Sequence, residues 1–244
     1  MHSSAASACV QAAGNFFAGK ITNKQCLVMT KHNLWQDDYW LLLMQLYLRQ
    51  PAGVKAAYSR GMVALALETH VPPTVLYEKM FALRQIDTPR MEKLWERYGN
   101  NPSRLTRTVK RLRQMKGFGQ AETFYEGVET AESWETDFKP IENGGGLMPL
   151  HLIVILDLYF RLTPITMVAE TPEVAELARL MKVPAATVVE VMDVFKFCDP
   201  YLNRVDLIIS PLLKPCQDVW NRYGSGSPQK LAALASQMKE YFNK

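Results

Sequence analysis

The side chains best equipped to grip a ligand crowd into one stretch of the chain. Between Arg84 and Lys116 there are ten basic residues and three acidic ones, a local charge of +7. Within it, Arg104, Arg107, Lys110, Arg111 and Arg113 recur around an apolar stripe of Leu105, Val109, Leu112 and Met115. This spacing predicts one helix over 102–116 with a buried face and a cationic face. Guanidinium and ammonium groups held in a row attract phosphates or carboxylates, so these five residues are the candidate anion-binding set.

The adjoining stretch has the opposite sign. Residues 117–146 carry Glu122, Glu126, Glu129, Glu132, Glu135, Asp137 and Glu142 against Lys139 alone, a net charge of −6. The segment Met115-Lys116-Gly117-Phe118-Gly119 fits the apolar-x-Gly-apolar-Gly hairpin with which helix-hairpin-helix modules present backbone N–H groups to phosphate. A helix ending at Gly117 accounts for the same five residues, and a run of carboxylates immediately afterwards would repel phosphate. The juxtaposition predicts instead that the acidic stretch, anchored by Phe124, Tyr125, Trp134 and Phe138, docks on the basic helix. Gly144-Gly145-Gly146 reads as its hinge.

Catalytic and metal chemistry find little support. Cys9, Cys26, Cys198 and Cys216 are far apart, without a C-x-x-C pair or a histidine at ligand spacing. His2, His32, His70 and His151 have no recurring partner, and nucleophile-elbow, zincin, phosphate-loop and dinucleotide fingerprints are missing from the sequence. Asp37 and Asp38 are adjacent, so on a helix they point about 100° apart. The expectation is therefore no catalytic residues, no metal and no cofactor.

The elements that must position these residues read as helices throughout. Almost every segment has a period near 3.6, and alternating β-branched runs are missing. Helix starts are expected after Asp37/Asp38 and at Asn101-Pro102, Thr171-Pro172 and Ser227-Pro228, each of the last three a side-chain cap followed by proline in the first turn. The final helix sets Leu231, Leu234, Ala235, Met238, Tyr241 and Phe242 on one face. The apolar run from Leu147 to Val168 contains His151, Asp157, Arg161 and Pro164, which a bilayer core would penalise, so no membrane span is expected.

Laid over itself at an offset of 112 residues, the chain shows eleven identities in 42 positions. They include Leu46-Tyr47-x-Arg49 with Leu158-Tyr159-x-Arg161, Leu65-Ala66 with Leu177-Ala178, Val71-Pro72 with Val183-Pro184, and Asp87 with Asp199. After an insertion around Tyr201 to Cys216, Trp95-x-Arg97-Tyr98-Gly99 meets Trp220-x-Arg222-Tyr223-Gly224. The tyrosines are expected in the core and the arginines near helix C-termini. Gly99 and Gly224 are expected as left-handed helix caps.

The organisation predicted is all-α: an N-terminal extension (1–28), a first helical unit (29–116), an acidic aromatic connector (117–148) and a second, homologous unit (149–244), with four to five helices in each unit. Glu173 to Phe195, and its counterpart around Ala66, Val71 and Leu76, follow the spacing of a helix-turn-helix. The second helix, however, presents Val188, Val189, Glu190, Val191, Met192, Asp193 and Val194 rather than base-reading side chains, which points to packing. With 244 residues, a net charge of +4 and 48% hydrophobic residues, the whole reads as a cytoplasmic globular chain. The function expected is non-enzymatic: an interaction or scaffold protein that binds a protein or peptide. The alternative is a nucleic-acid binder using helix 102–116. Oligomeric state is not readable.

Overall fold

Proline and left-handed residues punctuate the chain, and the helices fall between them. The structure, a computed structural model, describes residues 35–115, 117–118, 133–202 and 210–243. Among the described residues it is all-helical, with eleven α-helices and no strand. The first run comprises α1 (Tyr39–Leu48), α2 (Arg60–Thr69), α3 (Pro73–Gln85), α4 (Pro89–Tyr98) and α5 (Pro102–Arg113). A short α6 (Ser133–Thr136) precedes α7 (Pro149–Tyr159), α8 (Pro172–Met181), α9 (Ala185–Cys198), α10 (Leu213–Tyr223) and α11 (Pro228–Lys239). The described residues from Gln36 onward form one compact unit. The expected extension 1–28 lies outside the described residues, as do Lys116 and Gly119 of the glycine hairpin and residues 203–209 of the insertion.

The apolar run that begins at Leu147 becomes α7, buried on every side from Leu150 to Tyr159 and packed against α8, α9, α10 and α11. A helix apolar all round belongs in the middle of a bundle. Each fully buried Leu or Ile there contributes about 2 kcal/mol relative to exposure. Its two polar interruptions are satisfied: the Arg161 guanidinium donates to the Asp157 carboxylate at 2.9 Å, and His151 Nδ1 accepts the Met148 N–H at 3.0 Å. Among the described residues no helix is long and apolar enough to cross a membrane. The first run is organised around α1, which packs on α2, α3 and α5.

Helix starts fall where proline places them, but capping is less uniform than expected. Asn101 accepts the Arg104 N–H at 3.1 Å, and Thr88, ahead of Pro89, accepts that of Met91 at 3.4 Å. Thr171 turns its hydroxyl to the Thr166 carbonyl, and Ser227 turns its own to Gln229, so neither side chain caps its helix.

The helix ends correct a second expectation. Gly99 and Gly224 are right-handed, at φ −54° and −64°. Glycine is needed there for room: a Cβ on Gly99 would lie 2.7 Å from the Trp95 carbonyl oxygen, and one on Gly224 2.7 Å from the Trp220 ring. The left-handed caps belong to His70 (φ 54°), Ile86 (φ 55°) and Lys182 (φ 60°). His70 and Lys182 close α2 and α8, both ten residues long. The Val71 N–H then returns to the Ala66 carbonyl at 3.2 Å and the Val183 N–H to that of Ala178 at 3.0 Å.

The described part of the connector binds the two runs together. Asp137, buried, meets the Arg222 guanidinium through both oxygens at 2.7 and 3.2 Å. Glu135, also buried, lies 3.2 Å from His70 Nδ1. Phe138 stacks on Tyr58 and tilts against Tyr241, and Arg60 Nε donates to the Tyr241 carbonyl at 2.9 Å. These carboxylates therefore pair with α2 and α10 instead of α5. Glu122, Glu126, Glu129 and Glu132 lie outside the described residues. The expected hinge is a hydrogen-bonded turn: the Ile141 N–H reaches the Leu147 carbonyl at 2.8 Å, with Gly145 and Gly146 at φ 62° and 86°.

Candidate functional site

All five cations nominated by the sequence lie exposed on α5. At about 100° per residue, Arg104, Arg107 and Arg111 share an arc of roughly 60°, with Lys110 roughly 60° to one side. The buried stripe of Leu105, Val109 and Leu112 faces away from them. Arg104 sits over the Tyr98 ring at 5.7 Å, and Arg107 Nε reaches its own helix at the Ser103 carbonyl. Arg113 stands apart: Glu68 of α2 takes its guanidinium through both oxygens, at 2.6 and 2.8 Å, and raises its pKa. Among the described residues Lys110 and Arg111 have no ion-pair partner.

A trough of about 500 Å³ lies between α1, α2 and α5, lined on α5 by Pro102, Leu105, Thr106 and Arg113, so that Lys110 borders it while Arg104, Arg107 and Arg111 project from the far side of the helix. Of its apolar lining, Leu42, Leu65 and Leu105 are buried and Leu46 and Leu48 are half-exposed. Arg49 and Gly61 mark one end, where a Cβ on Gly61 would lie 2.8 Å from Leu46 Cδ1. The Glu68–Arg113 pair marks the other. From Gly61 to Glu68 the wall is seven residues of helix, about 10 Å. Gly61 and Ala64 leave the wall low; the aligned residues of the second half are Glu173 and Glu176.

Arg49 is the group that sequence reading assigned to structure and the geometry leaves open. Its aligned partner Arg161 is held by Asp157 four residues earlier, whereas Arg49 has Gln45 at that position. Among the described residues Arg49 has no carboxylate partner. Close by, the Lys55 ammonium donates to the Arg49 and Pro51 carbonyls. Partial burial and the Arg49 charge push its pKa down. Two cations share this corner without a neutralising acid. The offset alignment itself carried the signal, in the loss of the acid at Gln45.

Burial pushes the Cys198 thiol up to about 11 and that of Cys216 up to about 12, so neither is a thiolate at neutral pH. Among the described residues no three His, Cys, Asp or Glu side chains gather as a metal set. A second hollow, of about 610 Å³, lies along α9 and is rimmed by Glu170, Glu190 and Asp193. Asp193 is paired with Lys196 at 2.7 Å. The Arg49 and Lys55 corner offers charge-assisted hydrogen bonds to an anionic group. No family model matches the chain, and no curated protein or solved structure matches it either.

Proposed function

We propose that this chain is a helical interaction protein that binds a peptide segment of a partner protein in the α1–α2–α5 trough. One observation carries the reading: an open trough two turns long, with half-exposed Leu46 and Leu48 in its lining, ends at Arg49, which with the adjacent Lys55 has no carboxylate partner among the described residues. Covering the half-exposed Leu46 and Leu48 is stabilising, and the Arg49 guanidinium at the trough's end selects what covers them. The groove of a helical bundle is a usual seat for an amphipathic partner.

The reading includes a tandem origin, with units 29–116 and 149–244 homologous. Three features support it. The α2 and α8 caps share their left-handed geometry and return hydrogen bond. Tyr47 meets Trp95 edge-on at 5.6 Å, as Tyr159 meets Trp220 at 5.9 Å. Helices α5 and α11 are both twelve residues long. The helix-turn-helix-like pairs, α2–α3 and α8–α9, serve packing in this scheme: Val188, Val191 and Met192 are buried, and the exposed side of α9 presents Glu190.

The test is a selection of displayed 12-residue helical peptides on the full chain, repeated on Ala64→Glu. Ala64 is exposed, so the substitution fills the trough without disturbing the core. Peptides selected on the wild type should lose binding to Ala64→Glu; undiminished binding would refute the trough as the site.

A nucleic-acid reading rests on the exposed Arg104–Arg107–Arg111 row. It predicts oligonucleotide affinity that falls steeply with salt and disappears when these three are neutralised, with Ala64→Glu having no effect.

A further inference from the structure

We infer that the trough selects an acidic amphipathic helix, oriented so that one of its carboxylates meets Arg49. This rests on the peptide-binding reading above and adds the charge and direction of the partner. The floor is about 10 Å long, which matches a helix presenting apolar side chains at i, i+3 or i+4, and i+7. Its two ends differ. At one, Glu68 and Arg113 neutralise each other, so a charge on the ligand gains little there. At the other, Arg49 lacks the acid that holds Arg161, and Lys55 adds a second positive charge.

A carboxylate at that end gains a charge-assisted hydrogen bond, whereas a lysine would face two like charges. The flank over α5 repeats the preference through Lys110, which among the described residues has no ion-pair partner. A basic partner finds no counter-charge: the carboxylate lining this trough is Glu68, and Arg113 occupies both of its oxygens. Leucine in place of aromatic side chains along the floor offers no stacking platform for bases, which favours a peptide over single-stranded nucleic acid.

The experiment uses the same peptide selection, on the full chain and on Arg49→Glu. Arg49 is exposed and unpaired, so the variant should keep the wild-type circular dichroism and melting temperature. On the wild type, the enriched peptides should carry a net negative charge, an apolar i, i+3/i+4, i+7 pattern and an Asp or Glu near one end. Their affinity for Arg49→Glu should fall at least about tenfold. A fresh selection on Arg49→Glu should replace that acid by Lys or Arg.

Enrichment of basic or uncharged peptides that Ala64→Glu still blocks would overturn this inference and leave the peptide-binding reading standing. Binding indifferent to Ala64→Glu would defeat both. Self-association lost in Arg49→Glu, with no peptide enriched, would assign the trough to a second copy of this chain and overturn the inference.

Discussion

Helices α5 and α11 close the two aligned halves, and they agree where they are buried and disagree where they are not. Both begin at proline and run twelve residues, and Leu105, Val109 and Leu112 of α5 align with Leu231, Ala235 and Met238 of α11. On the outer side, Arg104, Arg107, Lys110, Arg111 and Arg113 align with Lys230, Ala233, Ser236, Gln237 and Lys239. A close-packed interior constrains its residues in both halves, while the solvent face is free to diverge. The same holds for arginines: Arg222 and Arg161 are tied to carboxylates, whereas among the described residues their counterparts Arg97 and Arg49 have no carboxylate partner. Packing demand is what the aligned halves share, and exposed charge is where they differ.

The largest expected effect breaks that asymmetry directly. Arg222→Ala leaves Asp137 buried without its counter-charge and should cost about 3 kcal/mol of stability. Arg97→Ala, at the aligned exposed position, should stay within about 0.5 kcal/mol. Urea unfolding of the two variants checks the contrast, and equal losses would remove it.

The glycines give the next contrast. Gly99→Ala and Gly224→Ala each force a Cβ against a tryptophan or its carbonyl and should cost about 1–3 kcal/mol. Ile86→Gly relieves a β-branched residue held at positive φ and should gain about 1 kcal/mol. Were Gly99 and Gly224 right-handed but uncrowded, alanine there would instead stabilise the fold through the unfolded chain.

The smallest effect separates the halves by pH. Burial holds the His151 imidazole below its ordinary value, and Nδ1 must stay unprotonated to accept the Met148 N–H. Because the native pKa is depressed, the contribution of neutral His151 is complete above about 6.5 and is lost as pH falls toward the native value. Stability should therefore decline on acidification from pH 7 to pH 5, and His151→Gln should flatten that decline. Tyr39, aligned with His151, has no group that titrates in this range, so Tyr39→Phe should leave the slope unchanged.

Much of this architecture is legible in the chain alone because helix periodicity and proline starts are local. The cationic face of α5 and the interior course of α7 follow from spacing. The left-handed caps do not, since His70, Ile86 and Lys182 lack the usual glycine, and Gly99 and Gly224 serve tryptophan rings instead. Nor does the trough: Gly61 and Ala64 acquire meaning only when α2 lies beside α1 and α5. Arg113 finds Glu68 across 45 residues, a pairing no local pattern encodes. In the described part of the acidic connector the partners are likewise distant in sequence, Glu135 meeting His70 at the end of α2 and Asp137 meeting Arg222 of α10.

The central claim, that the first half binds through its trough while the second half scaffolds, is tested most directly by amide hydrogen exchange of the full chain. The chain would be measured with and without a saturating acidic amphipathic 12-residue peptide. Exchange should slow in α1, α2 and α5 and stay unchanged in α7, α8 and α11. Protection confined to the second half, or unchanged exchange throughout, would contradict the claim.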